Sequence, residues 1–163
     1  MKTLIIVRHA KSSWDVATMS DFERPLNHRG KKDAPVMAKN LLSKIGNIDA
    51  FISSPAERAK ETAELFAEVF GKKKKEIIFF NELYHASVTV IYDVIKKTDN
   101  KVQSIIVFTH NPGITDFVNS LSGVRTDNMP TCGVFAVKAA IEDWQDFDKA
   151  KREFMFFEYP KML

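Results

Sequence analysis

Leu4-Ile5-Ile6-Val7-Arg8-His9-Ala10 is the stretch on which the reading of this chain turns. Its apolar run is short and unbroken, the pattern of a strand buried on both faces, and it stops at an arginine and a histidine. Neighbouring side chains of a strand point to opposite faces, so Arg8 and His9 can share one site only where the strand ends. Open α/β sheets bind their ligands at that carboxyl edge, and a cation beside an imidazole there suits an anion. Taken alone, the tripeptide is weak evidence, because a lone histidine is more often structural.

The same arrangement recurs twice further on. Phe51-Ile52-Ser53-Ser54-Pro55-Ala56-Glu57-Arg58 joins a strand to a helix and sets Arg58 in the first helical turn. Ile105-Ile106-Val107-Phe108-Thr109-His110 is another strand-like run that ends in histidine, ahead of Asn111-Pro112-Gly113. The ends of parallel strands lie along one sheet edge, so Arg8, His9, Arg58 and His110 are expected to converge. Asp21-Phe22-Glu23-Arg24-Pro25-Leu26 places a further arginine, Arg24, in the long loop after the first strand.

Around these runs, short apolar segments alternate with longer amphipathic ones. Strands are expected at 3–8, 48–53, 76–80, 103–109, 133–138 and 153–158, and helices near 28–45, 55–70, 87–98 and 112–121. The second helix has the clearest period, with Ala59, Thr62, Ala63, Phe66 and Phe70 at three- and four-residue steps. Ser54 reads as its N-cap, Pro55 as its first residue and Gly71 as its stop. Pro35, inside the first helical pattern, predicts a kink or a later start. The β–α alternation implies an α/β fold with a mostly parallel central sheet covered by helices on both faces. The aromatic tail (Trp144, Phe147, Phe154, Phe156, Phe157, Tyr159) reads as an edge strand packed on the core.

At 163 residues, 45% hydrophobic and 28% charged, the chain is expected to form a single soluble domain over 1–163. No apolar run approaches membrane-spanning length, and the run after Met1-Lys2-Thr3 is too short for a secretory leader. The single cysteine, Cys132, excludes an internal disulfide and fits a reducing, cytoplasmic setting. Its place before a strand-like Val134-Phe135-Ala136-Val137 makes it a buried structural thiol. A net charge of +3 is too mild to argue for nucleic acid, and Lys72-Lys73-Lys74-Lys75 reads as a solvated helix-to-strand turn.

Two arginines and two histidines around one cavity make a phosphate pocket. Guanidinium groups bind phosphoryl oxygens through paired, charge-assisted hydrogen bonds that lysine does not reproduce. Neighbouring arginines oppose protonation of a histidine, and a neutral imidazole is a nucleophile toward phosphorus. A phosphohistidine intermediate then splits one difficult displacement into two.

These residues resemble a known family, the histidine phosphatase (phosphoglycerate mutase-like) superfamily. Val7-Arg8-His9-Ala10-Lys11-Ser12, Arg24-Pro25-Leu26, Ser53-Ser54-Pro55-Ala56-Glu57-Arg58-Ala59 with Thr62-Ala63, and Thr109-His110-Asn111-Pro112 are similar to motifs of its small SixA-type phosphohistidine phosphatase branch. The resemblance runs in order from residue 3 to about 115. It implies a three-layer α/β/α sandwich and needs neither metal nor organic cofactor. It also implies that His9 is the phosphorylated nucleophile, with Arg8, Arg24, Arg58 and His110 lining the phosphate pocket. The partner it implies is a phosphorylated protein or a small phosphorylated metabolite, with no nucleic acid and no membrane. Many members carry Gly where this chain has Ala10.

The general acid is the open position. Glu82, in Asn81-Glu82-Leu83-Tyr84-His85, lies where members of the superfamily often carry a catalytic glutamate; an exposed strand-end carboxylate is the plain alternative. An alkoxide leaving group needs a proton, whereas a phosphoramidate leaving group can carry its own. His85 reads as a rim residue and His28 as surface. His9 and His110 lack a third ligand at metal-binding spacing, and Ser53-Ser54 lacks the glycine frame of a nucleophile elbow.

Overall fold

Alternation along two strands builds the layers. In the computed structural model, which describes residues 1–14 and 19–163, β1 (Lys2–Arg8) and β4 (Ser104–Thr109) lie side by side in parallel at the centre of a six-stranded sheet. Leu4, Ile6, Ile105 and Val107 face one way, into a core shared with Ile91, Val94 and Ile95 of α3 (Val88–Lys96) and Ile114, Phe117 and Val118 of α4 (Gly113–Leu121). Ile5, Val7, Ile106 and Phe108 face the other way. There they meet Ala34, Met37, Ala38 and Leu41 of α1 (His28–Ile45), and Ala63, Phe66 and Ala67 of α2 (Glu57–Val69). Both faces of the strands are therefore covered, which is why they read as continuous apolar runs.

The strand order is β3-β2-β4-β1-β5-β6, with β2 at Ala50–Ser53, β3 at Ile77–Phe79, β5 at Val134–Ala139 and β6 at Arg152–Glu158. The pairings from β3 through β1 are all parallel; β5 runs antiparallel to both β1 and β6. The mostly parallel sheet and the edge strand agree with the sequence pattern. Trp144 and Phe147 depart from it, because they sit fully buried in a 3-10 turn, Trp144–Lys149, ahead of β6.

The first helix keeps its expected span, without the later start that Pro35 allowed, and the second is corrected at its start. The first helix begins at His28 and continues through Pro35 to Ile45. A proline inside a helix costs about 3 kcal/mol, and the buried face on both sides of it (Ala34, Met37, Ala38, Leu41) offsets that cost. The second helix starts at Glu57, with Ala56 rather than Ser54 as its N-cap. Ser54 is buried and its hydroxyl is engaged elsewhere, as described below. Gly71, at φ +72°, ends that helix as expected, in the left-handed conformation that glycine adopts most readily.

Two glycines allow close approaches that fix the loops at the carboxyl edge. A Cβ on Gly30 would lie 2.2 Å from the Lys11 carbonyl oxygen, so glycine lets the first turn of α1 rest on the loop after β1. A Cβ on Gly113 would lie 2.0 Å from the Ala86 carbonyl oxygen, which holds the start of α4 against the loop before α3. Among the described residues, no helix is long and apolar enough to cross a membrane.

Candidate active site

The backbone at the end of β1 is held from three sides. Arg8 N–H donates to Gly133 O at 3.1 Å, His9 N–H to Thr109 O at 3.3 Å, and Ala10 N–H to the Thr62 hydroxyl at 3.0 Å. That hydroxyl donates in turn to Arg58 O at 2.7 Å, so Thr62 ties the loop after β1 to the helix that carries Arg58. Cys132, at φ +60°, directs its N–H at both Arg8 O and His9 O, 3.0 Å from each. Its sulfur is buried and burial pushes the thiol pKa up, which leaves it a structural thiol.

Arg8, His9, Arg24, Arg58 and His110 meet in one cavity of about 180 Å³, together with Lys11, Ser12, Trp14, Asn111 and Thr131. His9, Arg58 and His110 are only 5%, 6% and 7% exposed, and the two imidazole rings lie 5.2 Å apart between centroids. His9 Nδ1 is 2.8 Å from the Ala10 carbonyl oxygen. A carbonyl only accepts, so Nδ1 carries the proton and the lone pair stays on Nε2. Burial holds the His9 pKa down at about 3; the Ala10 carbonyl opposes this, and Arg8, Arg58 and Arg24 reinforce it. His110 is lowered further, to about 2, by burial and then by His9 and Arg58. Both imidazoles are neutral across the physiological range.

The arginines keep donors in reserve. Arg8 spends Nη1 on Met129 O at 2.9 Å, and Arg58 spends Nη1 on Asp21 O and Nη2 on the Asp21 carboxylate, at 2.7 and 3.1 Å. Arg24 stacks over the Trp14 ring, 3.5 Å from its centroid, and faces Asp21 Oδ1 at 3.3 Å without hydrogen-bond alignment. Among the described residues, Arg8 Nε, Arg24 Nε and Nη1, Arg58 Nε and His110 Nδ1 are buried without a hydrogen-bond partner. Buried donors are nearly always paired, so a cluster of unpaired ones around a neutral imidazole marks an anion site. Burial and the nearby Arg58 also lower the pKa of Arg8 and of Arg24, the signature of crowded like charges.

Ser54 and Asp21 are the residues that sequence reasoning passed over. Ser54 Oγ lies 2.7 Å from His110 Nε2 and accepts from Ala56 N–H at 3.2 Å, so the supposed helix cap orients a site histidine instead. With Ser54 on Nε2, Nδ1 is the nitrogen of His110 left for another partner. Asp21 accepts from Arg58 and, at 2.6 Å, from the Tyr84 hydroxyl. Burial pushes its carboxyl up, but Tyr84 and Arg58 outweigh that and hold it below the usual range. The i, i+3 spacing of Asp21 and Arg24 was the signal available for that pair. Nothing in the linear sequence pointed to Tyr84.

Glu82 is not brought to this cavity. It lies in the 3-10 turn Asn81–Leu83, half-exposed, with its carboxylate 3.4 Å from Lys97 Nζ. Its neighbour Leu83 occupies the inward position, fully buried. His85, at φ +69°, stacks on Tyr84 with centroids 4.0 Å apart and adds to the charge felt by His110; His28 is exposed at the start of α1. Among the described residues, no group of three or more His, Cys, Asp or Glu side chains is arranged to hold a metal.

Comparison with known proteins identifies the family and the fold. The sequence model of the histidine phosphatase superfamily (branch 1) matches residues 4–89. An uncharacterized chloroplastic protein of Arabidopsis thaliana is 29% identical over 154 residues, covering 89% of this chain and 70% of its own length. The structure of the protein histidine phosphatase SixA complexed with tungstate has a TM-score of 0.82 at 23% identity, over 98% of both chains. A mycobacterial glucosyl-3-phosphoglycerate phosphatase in complex with VO3 has a TM-score of 0.66 at 13% identity, over 94% of this chain and 97% of that one. At these identities the two structures are likenesses of fold.

Proposed function

The chain belongs to branch 1 of the histidine phosphatase superfamily, and from that premise we propose that it hydrolyses phosphoryl groups through a phosphohistidine formed on His9. The observation that carries the reading is the set of unpaired, buried donors on Arg8, Arg24 and Arg58, with the unpartnered Nδ1 of His110, around a neutral His9 whose Nε2 keeps its lone pair. Nε2 attacks phosphorus and the bond to the leaving group breaks with its electron pair. The guanidinium groups and His110 carry the charge on the other phosphoryl oxygens. Water then attacks the phosphorus of phospho-His9, loses a proton to solvent, and releases inorganic phosphate and neutral His9.

Protein phosphohistidine is the proposed substrate class. None of the described residues lining the cavity is a carboxylic acid, the nearby Asp21 carboxyl is held below the usual range by Tyr84 and Arg58 and so stays ionised, and Glu82 faces Lys97. An alcohol leaving group requires a proton donor, whereas the imidazole of phosphohistidine leaves as a neutral ring when it carries its own proton. The tungstate-bound SixA and the vanadate-bound mycobacterial phosphatase support oxyanion binding by this fold, and the latter keeps a small phosphorylated metabolite as the second reading. We place the activity in the cytoplasm, as the work of one domain spanning 1–163.

Brief incubation with a labelled phosphodonor, followed by an acid-free quench, should trap label on His9. His9→Ala should abolish both the label and turnover. Hydrolysis at a comparable rate by His9→Ala would move the nucleophile elsewhere, with His110 next. Vanadate binding without any labelling or hydrolysis would reduce the site to a phosphate-binding module.

A further inference from the structure

A second, larger hollow opens beside the phosphate cavity and shares Lys11 and Thr131 with it. It encloses about 460 Å³, and its walls include Arg29, Lys161, Phe157 and Tyr159. Phe157 and Tyr159 form a half-buried aromatic floor with centroids 5.5 Å apart. Lys11, Arg29 and Lys161 supply positive charge, and none of the described residues lining it is acidic. Glu158, between the two aromatic residues, points the other way as strand alternation requires. It is held by Lys44 at 2.7 Å and by Asn40, both on α1. Arg29 is half-exposed and shares part of its charge with Asp33 at 3.5 Å; among the described residues no ion pair holds Lys11 or Lys161.

The walls are braced before any substrate arrives. Asn111 Nδ2 donates to Asn128 Oδ1 and to Met129 O, at 2.9 and 3.2 Å, and Met129 O also accepts from Arg8. Gly30 seats the start of α1 on the Lys11 carbonyl, which puts Arg29 beside the loop that carries Lys11. The hollow is thus tied to the phosphate cavity by the same loops that position Arg8.

We infer that this groove holds an acidic stretch of polypeptide flanking the phosphorylated histidine, an inference that rests on the phosphohistidine reading of the site. A histidine side chain that places its phosphoryl group between Arg8 and Arg58 leaves its backbone at the mouth of the cavity. Residues on either side of it then reach the adjoining groove, since an extended chain advances only about 3.3 Å per residue. Cations on the rim select carboxylates, and the aromatic floor packs the methylene stems between them.

The test compares two phosphohistidine peptides of equal length, flanked by Glu in one and Gln in the other, with a small aryl phosphate as reference. The protein should prefer the Glu peptide by about tenfold in kcat/KM, what two or three partly exposed charge pairs supply. The preference should lie in KM and shrink as salt rises, because such pairs are screened. Arg29→Gln combined with Lys161→Gln should erase the preference while aryl phosphate turnover stays within about twofold. Equal kcat/KM for the two peptides, alongside aryl phosphate turnover, overturns the groove assignment alone. A preference that survives in the double variant overturns it too. Stronger competition by a small bisphosphate than by the Glu peptide assigns the groove to a metabolite and overturns the polypeptide occupant. If none of the three substrates turns over, the phosphatase reading fails, and fluorescence anisotropy with stable phosphonate analogues of the two peptides decides the groove. Tighter binding of the Glu analogue supports it, and equal binding refutes it.

Discussion

Protonation of two side chains sets what this site can do. His9 and His110 are held neutral by burial, then His9 by Arg8, Arg58 and Arg24 and His110 by His9 and Arg58, with pKa values of about 3 and about 2. In nuclear magnetic resonance titrations both rings should stay uncharged down to about pH 4; a midpoint near 6.5 for His9 would contradict the burial argument. The same shifts bear on stability. Between the unfolded value of about 6.5 and the folded values the unfolded chain binds more protons, so stability is complete above about pH 6.5 and falls as the pH drops toward 3. The urea midpoint should therefore be lower at pH 5 than at pH 7.5, and a flat or rising midpoint would contradict it. Glu82→Gln should leave kcat on a phosphohistidine peptide within about twofold, since its carboxylate pairs with exposed Lys97. Arg8, His9, Arg58 and His110 were legible because each ends or follows an apolar run. Ser54 and Tyr84 were not, because their partners are set by loop packing that no local spacing encodes; for Asp21 the spacing pointed to Arg24 but not to Arg58 or Tyr84.

Helix and strand boundaries carry the next layer of positioning. Thr62 joins the start of the loop after β1 to α2 through one buried hydroxyl, with Ala10 N–H on one side and Arg58 O on the other. Thr62→Val leaves the Ala10 amide unsatisfied and should cost about 1–3 kcal/mol of stability. It should also lower kcat, and Thr62→Ser should restore most of both; urea unfolding and aryl phosphate turnover check it. Gly30→Ala forces a methyl group into the Lys11 backbone and should destabilise by more than the ~1 kcal/mol that alanine normally gains over glycine inside a helix. The start of α2 shows why sequence placed the body of this element well and its first residues poorly. Apolar periodicity fixed the buried face, but the Ser54 hydroxyl serves His110, and the helix begins at Glu57 instead.

The whole molecule divides its core between the two faces of one sheet. Ile5 and Ile95 lie in separate clusters, so Ile5→Val and Ile95→Val should each cost about 0.5–1.5 kcal/mol and add when combined to within about 0.5 kcal/mol. Coupling larger than that, measured by urea unfolding of the two single variants and the double, would show that the layers are not independent. The layered architecture was readable from β–α alternation because a strand covered on both faces has no polar side. The antiparallel direction of β5 was not, because its residues are as buried as those of a parallel strand.

Asp21 has a consequence for turnover. Its carboxylate sits on Arg58 and faces Arg24, two of the guanidinium groups a phosphoryl group would use. The loop thus brings a resident counter-ion, so a dianion using the donors left on Arg24 and Arg58 would meet a carboxylate already sharing those two cations. That shared charge should weaken the grip on substrate and on the phosphate left at the end, and so favour release. Asp21→Asn should bind inorganic phosphate more tightly and suffer stronger product inhibition, with the gain read as a lower inhibition constant. Tyr84, which donates to the same carboxylate, helps hold that counter-ion in place.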